Sequence, residues 1–296
     1  MKVFIAGGTG FVGNEVIRQL TKAGHEVHCL VRPGSEAKLA VIENVSPFPG
    51  EIDDVNSLKK GMAGCDATIN IVGIIREFPG KGVTFKKLHY EATQNMVQAC
   101  RETGIKRYLQ MSANGTRPDA KTAYHKTKWQ AEETVRQSPL DWTIFRPSLI
   151  YGKGGEFVDM MADLVRKLPV VPVIGDGRYR MQPVAVGEVA QSFVKALAMP
   201  EAIGQTYHLG GRASYSYDEI IDLFGKALDR SPVIKLHHPL LLMKPAVRVL
   251  EHFPQFPIAS DQLAMLLEGN TCDPAEWAEA FDIKPADFAD GLKKCF

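Results

Sequence analysis

The stretch "KVFIAGGTGFVGNEVIRQL" places a short apolar run against a glycine cluster and follows it at once with helical spacing. Gly8, Gly10 and Gly13 stand in G-x-G-x-x-G register, and Gly7, Gly10 and Gly13 in G-x-x-G-x-x-G register. Alone such a string is weak. Between a strand and a helix it has a mechanism: glycine permits positive φ and close approach of backbone amides to a pyrophosphate, and the helix N-terminus adds unpaired N–H groups. The alternative is a tight strand-to-helix turn that holds nothing.

The same alternation continues. Val12, Val16, Ile17 and Leu20 line one helical face up to Gly24, and "EVHCLV" is the next strand. "VSPF", a helix near 54–62, "ATINIV", a long helix over about 84–103, "KRYLQMS", a helix around 124 and "WTIFRPS" come after it. Strands alternating with long helices predict an α/β fold, a Rossmann-type doubly wound parallel sheet. Past Arg146-Pro147, Gly and Pro cluster and the helices shorten. The expected division is a nucleotide-binding domain over 1–150 and a smaller C-terminal substrate lobe over 151–296, with segments such as "QTYHLGG" returning to the sheet. Substrate is then expected between the lobes, beyond the carboxyl ends of the strands.

Bulk chemistry narrows the partners. A formal net charge of +1 gives no case for nucleic acid. Five cysteines without a CxxC pair read as reduced thiols in a cytoplasmic protein, with Cys29 packing in the core, and no metal site is read. The N-terminus lacks the apolar run of a signal peptide, and no stretch reaches a membrane span of roughly 18 apolar residues. The apolar segment "HHPLLLMKPAVRVLEHF" (237–253) has three readings: core, which is favoured, the wall of an apolar pocket, or a surface touching a membrane or partner. The substrate is expected to be a small molecule, with an apolar one in view.

After the second strand an NAD site carries an acid for the adenosine ribose. Here "CLVRPGSE" offers Arg32, a cation suited to a 2′-phosphate, so NADP is favoured over NAD; a solvated arginine is the other reading. Further on, Tyr124 and Lys128 are one helical turn apart, with Ser112 at the end of the preceding strand. A cation and a serine hydroxyl would lower the phenol's value toward an effective acid/base range. The competing reading pairs Lys128 with Glu132 and leaves Tyr124 as a half-buried aromatic.

As a set, "GGTGFVG", Arg32, "GEIDD", "NIVG", "MSA", "YHKTK" and "FRPSLIYG" resemble the short-chain dehydrogenase/reductase superfamily in its extended and atypical branches, NAD-dependent epimerase/dehydratase proteins among them. "VIGDGRYRMQPVAVGEVAQSFVKAL" and "YHLGGRASYSYDEIIDL" look like the group related to the nucleotide-binding accessory subunit of respiratory complex I. The resemblance runs to about residue 230. It implies a diphosphate on Gly7, Thr9, Gly10, Phe11 and Val12, a 2′-phosphate on Arg32, and adenine flanked by Glu51 and Ile52. It further implies Val72 and Gly73 beside the ribose, Pro147 bordering nicotinamide, and Ser112, Tyr124 and Lys128 as the catalytic triad, with Tyr124 and Lys128 also touching cofactor. Two departures accompany it: "HYEATQN" puts His89 and Ala92 where the branch carries Asn and Gly, and "NIVG" replaces an Ala-rich segment. The resemblance thus implies an NADP-dependent oxidoreductase or epimerase-like enzyme, or else a non-catalytic NADP-binding accessory subunit of a membrane complex or a redox sensor.

Overall fold

In the computed structural model, which describes residues 1–40, 43–241, 243, 245, 247, 251 and 259–296, "KVFIA" becomes strand β1 (Lys2–Ala6), almost wholly buried. Its alternation serves two cores at once. Val3 and Ile5 face one apolar cluster and Phe4 and Ala6 the other, so a continuous apolar run is what a strand covered on both faces requires. Around it stand β2 (Glu26–Val31), β3 (Val45–Pro49), β4 (Ala67–Asn70), β5 (Arg107–Met111) and β6 (Asp141–Pro147). Two-stranded pairs complete the strands outside the main sheet: β7 (Ile150–Tyr151) with β10 (Val184–Ala185), β8 (Val171–Ile174) with β13 (Lys235–His238), and β9 (Arg180–Met181) with β12 (Tyr215–Ser216). The last strand, β11 (Gln205–Leu209), seals the edge of the main sheet beside β6. That sheet has seven parallel strands in the order β11-β6-β5-β4-β1-β2-β3. The order reverses between β1 and β4, and ligands of such sheets bind at that reversal.

Helix α1 (Phe11–Lys22) buries Val12, Val16, Ile17 and Leu20 on one sheet face, beside α6 (Val186–Ala196). The other face is covered by α2 (Val55–Met62), α3 (Ala92–Thr103) and α4 (Ala123–Arg136). The long helix expected over 84–103 is a π-helical turn, Lys86–Glu91, running into α3. Single π turns inside α-helices accompany functional sites more often than chance, and this one presents His89.

A third apolar cluster is built from α5 (Glu156–Lys167), α7 (Tyr217–Ala227), β8 and the C-terminal helix Phe288–Lys293. Sequence spacing does not show what the helix Ala275–Ala280 does. Trp277 and Phe281 are 1% exposed and lock into the sheet's own core against Phe145, Phe193 and Tyr207. The Trp277 indole N–H donates to Ser192 Oγ at 2.8 Å.

Candidate active site

The glycine turn sits at the carboxyl end of β1, and each glycine answers a different steric demand. Gly7 has φ +89°, and a Cβ there would lie 2.8 Å from the Ile71 carbonyl carbon and 2.9 Å from Val72 N. The turn thus touches the exit of β4. At Gly13 a Cβ would strike Gly7 O and come to 2.6 Å from Gly8 Cα, so α1 packs on its own turn without a methyl's clearance. The positive φ expected of the turn is supplied in it by Gly7 alone. Gly10 is ordinary extended backbone (φ −84°, ψ 174°) whose Cβ would meet only Gly7 O, at 3.4 Å. Its openness is toward solvent. Asn14 N–H closes the first helical bond on Gly10 O at 2.9 Å and Gly10 N–H is spent on Gly7 O at 3.1 Å, so the first-turn amides of Phe11 and Val12 are the ones without a helical partner that can receive an anion, with Thr9 along the same rim. This cradle suits a dinucleotide pyrophosphate.

Arg32 lies just past β2, is exposed, and makes no ion pair among the described residues. Glu51 is exposed beside buried Ile52, whose carbonyl accepts from Asn95 Nδ2 at 3.1 Å. Across the turn, β4 ends at Asn70, whose buried amide donates to Thr93 Oγ1, Tyr108 OH and Gln110 Oε1. Its carbonyl oxygen accepts from Val72 N–H at 3.1 Å, shaping the Val72-Gly73 segment.

Lys128 is 2% exposed and donates to Met111 O at 3.2 Å. Its Nζ lies so close to Gly73 that a Cβ there would be 3.1 Å away. The ammonium therefore stands where β4 and β5 end, one residue from Ser112. The pairing with Glu132 does not form. Glu132 is buried and accepts instead from Arg136 at 2.6 Å and from Arg146 Nε at 2.8 Å. Burial pushes Lys128 down to about 8, with Glu132's field opposing.

Tyr124 is half-buried in a ring of aromatics, edge-on to Phe85, His89 and His125 at 5.6, 5.2 and 5.1 Å. Burial pushes its phenol up to about 12. The lowering expected from Lys128 and Ser112 is thus not what this arrangement delivers, because desolvation of the phenolate dominates. Ser112 Oγ donates to Thr116 Oγ1 at 3.4 Å, and among the described residues neither it nor Lys128 hydrogen-bonds Tyr124.

His89, in the place of the branch's Asn, is 1% exposed and still does polar work. Nδ1 meets Thr127 Oγ1 at 3.0 Å, and Nε2 meets the Ile74 N–H and carbonyl at 3.2 and 3.1 Å. Burial and the Lys128 charge push it down to about 2, so the ring is neutral. It pins the segment after Gly73 to α4. Three basic residues beyond β4 have partners: Lys87 pairs with Asp53, Lys86 with Glu91, and Arg76 Nη2 donates to Glu251 O.

Asn114 has no motif to announce it, yet five contacts meet there. Its N–H donates to Pro147 O at 2.8 Å, and its carbonyl accepts from His125 Nε2 at 3.1 Å. Its side chain accepts from His208 Nδ1 and donates to Asn270 Oδ1 and Thr271 O. Nearby, Arg117 pairs with Glu268 at 2.6 Å and the Ala123 N–H donates to Asp261 Oδ2 at 3.0 Å. The loop between Ser112 and α4 is thus tied to the helix Ser260–Glu268 and to Asn270 and Thr271 just past its end. A cavity of about 380 Å³ between that helix and Lys121-Thr122 opens at the start of α4. Of the apolar segment 237–253, residues 242, 244, 246, 248–250, 252 and 253 lie outside the described residues; of those described, Val247 is buried and Leu241 exposed.

A nucleotide cradle at the sheet's reversal, read with the family whose description is NAD(P)H-binding and which matches residues 7–164, decides the class. The chain belongs to the NAD(P)H-binding family. It is 28% identical over 269 residues to NADH dehydrogenase [ubiquinone] 1 alpha subcomplex subunit 9, mitochondrial, of Arabidopsis thaliana, covering 88% of this chain and 66% of that relative. It is 25% identical to 4-hydroxy-2-methyl-3-oxo-4-farnesyl-3,4-dihydroquinoline-1-oxide ketoreductase of Stigmatella aurantiaca, covering 66% of this chain and 64% of that one. The fold matches UDP-glucose 4-epimerase of Thermus thermophilus in complex with NAD, at a TM-score of 0.76, 19% identity and coverage of 100% and 97%. No helix among the described residues is long and apolar enough to cross a membrane.

Proposed function

We propose that this protein is an NADP(H)-dependent oxidoreductase that exchanges a proton with a small carbonyl or alcohol substrate through Tyr124. The observation that carries the reading is the placement of Lys128: a buried ammonium between Gly73 and Met111, one turn from Tyr124 and next to Ser112. In this reading the turn of Gly7, Thr9, Gly10, Phe11 and Val12 holds the diphosphate and Arg32 the 2′-phosphate. Glu51 and Ile52 flank adenine, Val72 and Gly73 line the ribose, and Pro147 borders the nicotinamide. Bound NADP(H) supplies or accepts hydride at the nicotinamide. A phenol pushed up to about 12 keeps its proton at neutral pH, which suits donation to a substrate oxygen. Lys128 then stabilises the phenolate left behind, and Ser112 orients the substrate oxygen.

A second reading is an NADP-binding accessory subunit without turnover. The Arabidopsis relative, named as a subunit of NADH dehydrogenase, favours it, as does a Ser112 hydroxyl engaged with Thr116. The experiment is NADPH oxidation by the purified protein against a panel of aldehydes, ketones and quinones, with Tyr124→Phe alongside. The enzyme reading expects parental NADPH affinity and a rate lower by about 10²–10⁴-fold in the variant. An activity that survives Tyr124→Phe refutes the mechanism, and the absence of turnover with tight NADPH binding leaves the accessory reading.

A further inference from the structure

Asn14 stands in the first turn of α1, where a helix has no intrinsic use for an asparagine side chain. That side chain is nonetheless fully spent. Nδ2 donates to Gly10 O at 3.1 Å and to Lys38 O at 3.0 Å, and Oδ1 accepts from the Ala40 N–H at 2.7 Å. The partners fix which way the amide points, because a backbone N–H only donates and a carbonyl only accepts. One short side chain thus joins the glycine turn to the loop that leaves β2. An aspartate there could accept from Ala40 but donate to neither carbonyl.

The loop held in this way begins at Arg32. Ser35 N–H donates to Arg32 O at 2.9 Å, Lys38 N–H to Ser35 O at 3.1 Å and Leu39 N–H to Glu36 O at 3.1 Å. Such local turns give a loop its shape but not its place on the protein. Its near end is placed by buried Val31 at the close of β2, and its far end by Leu39 at the margin of the core and by the Asn14 amide. Among the described residues no other side chain hydrogen-bonds to residues 32–40.

We propose that Asn14 is a positioning residue for cofactor choice, holding the Arg32 loop at a fixed span from the glycine turn so that both can meet one NADP(H) molecule. The inference rests on the reading of Arg32 as the group that takes the 2′-phosphate. The diphosphate and the 2′-phosphate belong to the same ligand, so the two protein segments that receive them must keep a set separation. A loop placed beforehand does not have to be ordered on binding, and that saving appears as affinity. NADH lacks the phosphate and gains nothing from the loop. Asn14 therefore raises the affinity for one cofactor and not the other, acting through the loop rather than on the phosphate.

The test is calorimetric titration of the full chain with NADPH and with NADH, read as the ratio of the two affinities. Asn14→Ala should lower the preference for NADPH by at least about threefold, up to the whole of the roughly tenfold owed to Arg32. A general loosening of the turn would weaken both cofactors alike and leave the ratio unmoved. Asn14→Ser separates the two ties, because a serine hydroxyl bonds back to the carbonyl four residues earlier, here Gly10 O, and is too short to clasp the loop. It should lose the preference as alanine does while binding NADH like the parent, and it carries the comparison should the alanine variant melt early. On an Arg32→Ala background, Asn14→Ala should leave the ratio unchanged, since the two act through one contact. Hydrogen exchange at the Ala40 amide should quicken in both Asn14 variants. A parent without preference for NADPH overturns the reading of Arg32 and this inference with it. A parental preference that survives both Asn14 variants overturns this inference alone, as does a further loss on the Arg32→Ala background or an Ala40 amide indifferent to residue 14.

Discussion

Gly13→Ala and Gly10→Ala differ by one methyl in the same turn, and the structure makes them opposite in effect. At Gly13 the methyl would strike the Gly7 carbonyl and sit 2.6 Å from Gly8 Cα, both backbone atoms. Neither can rotate away, so α1 must lift off the turn while its buried face stays packed on the sheet. Overpacking of that kind costs about 1–3 kcal/mol, and the lifted amides no longer converge on the pyrophosphate. At Gly10 the backbone lies in a region any residue adopts, and the methyl meets only Gly7 O at 3.4 Å. Apo stability should stay within about 0.5 kcal/mol of the parent. The methyl nonetheless points into the open space where phosphate oxygens would approach. Losing one charge-assisted hydrogen bond weakens NADPH by about tenfold, and losing two by roughly a hundredfold. Denaturant titration of the apo proteins and calorimetric titration with NADPH measure the two quantities separately. Gly13→Ala should fail in both and Gly10→Ala in binding alone. A Gly13→Ala protein as stable as its parent would refute the tight packing of α1 on its turn, and a Gly10→Ala protein that binds NADPH normally would refute the placement of the phosphate there.

Arg32→Ala should erase a preference for NADPH over NADH of roughly tenfold or more, read by titrating both cofactors. Arg146→Ala should lower stability by roughly 2–3 kcal/mol by equilibrium unfolding, since it strips buried Glu132 of one guanidinium while Arg136 remains. His89 is held neutral with a value pushed down to about 2, below its unfolded value near 6.5. Its contribution is therefore complete above about pH 6.5 and is lost as pH falls toward 2, because only the unfolded chain takes up that proton. His89→Asn should flatten the acid limb of the stability curve by up to about 1.4 kcal/mol per pH unit, and an unchanged slope would show that the ring is not buried neutral.

The parts of this molecule that repeat a period are legible in the sequence alone. β1 and α1 declare themselves because a short apolar run ended by glycines and a 3.6-residue stripe have few other uses, and the return of "QTYHLGG" to the sheet is realised as β11. Contacts between distant segments are not legible. Asn114 reads as a loop residue until His208, Asn270 and Thr271 fold around it. Trp277 could have anchored either lobe, since one aromatic in a short helix carries no address. The phenol of Tyr124 shows the limit most clearly: spacing reveals that Lys128 is one turn away, whereas the balance between that charge and burial depends on Phe85 and His89 closing around the ring.

Sealing the sheet with β11 has a consequence for a chain made from its N-terminus. When the ribosome has delivered β6, the glycine turn and the five earlier strands are already outside, yet the backbone edge of β6 stays unsatisfied until Gln205–Leu209 arrives. The side chains under that edge wait longer still, because Trp277 and Phe281 close the apolar layer beneath it. A nascent chain therefore exposes an open strand edge until Leu209 has emerged, and an uncapped greasy floor beneath it until Phe281 has. Cutting the gene after the nucleotide-binding segment would make that transient state permanent, yielding a fragment with every phosphate-facing glycine in place and a raw edge inviting its neighbours to aggregate.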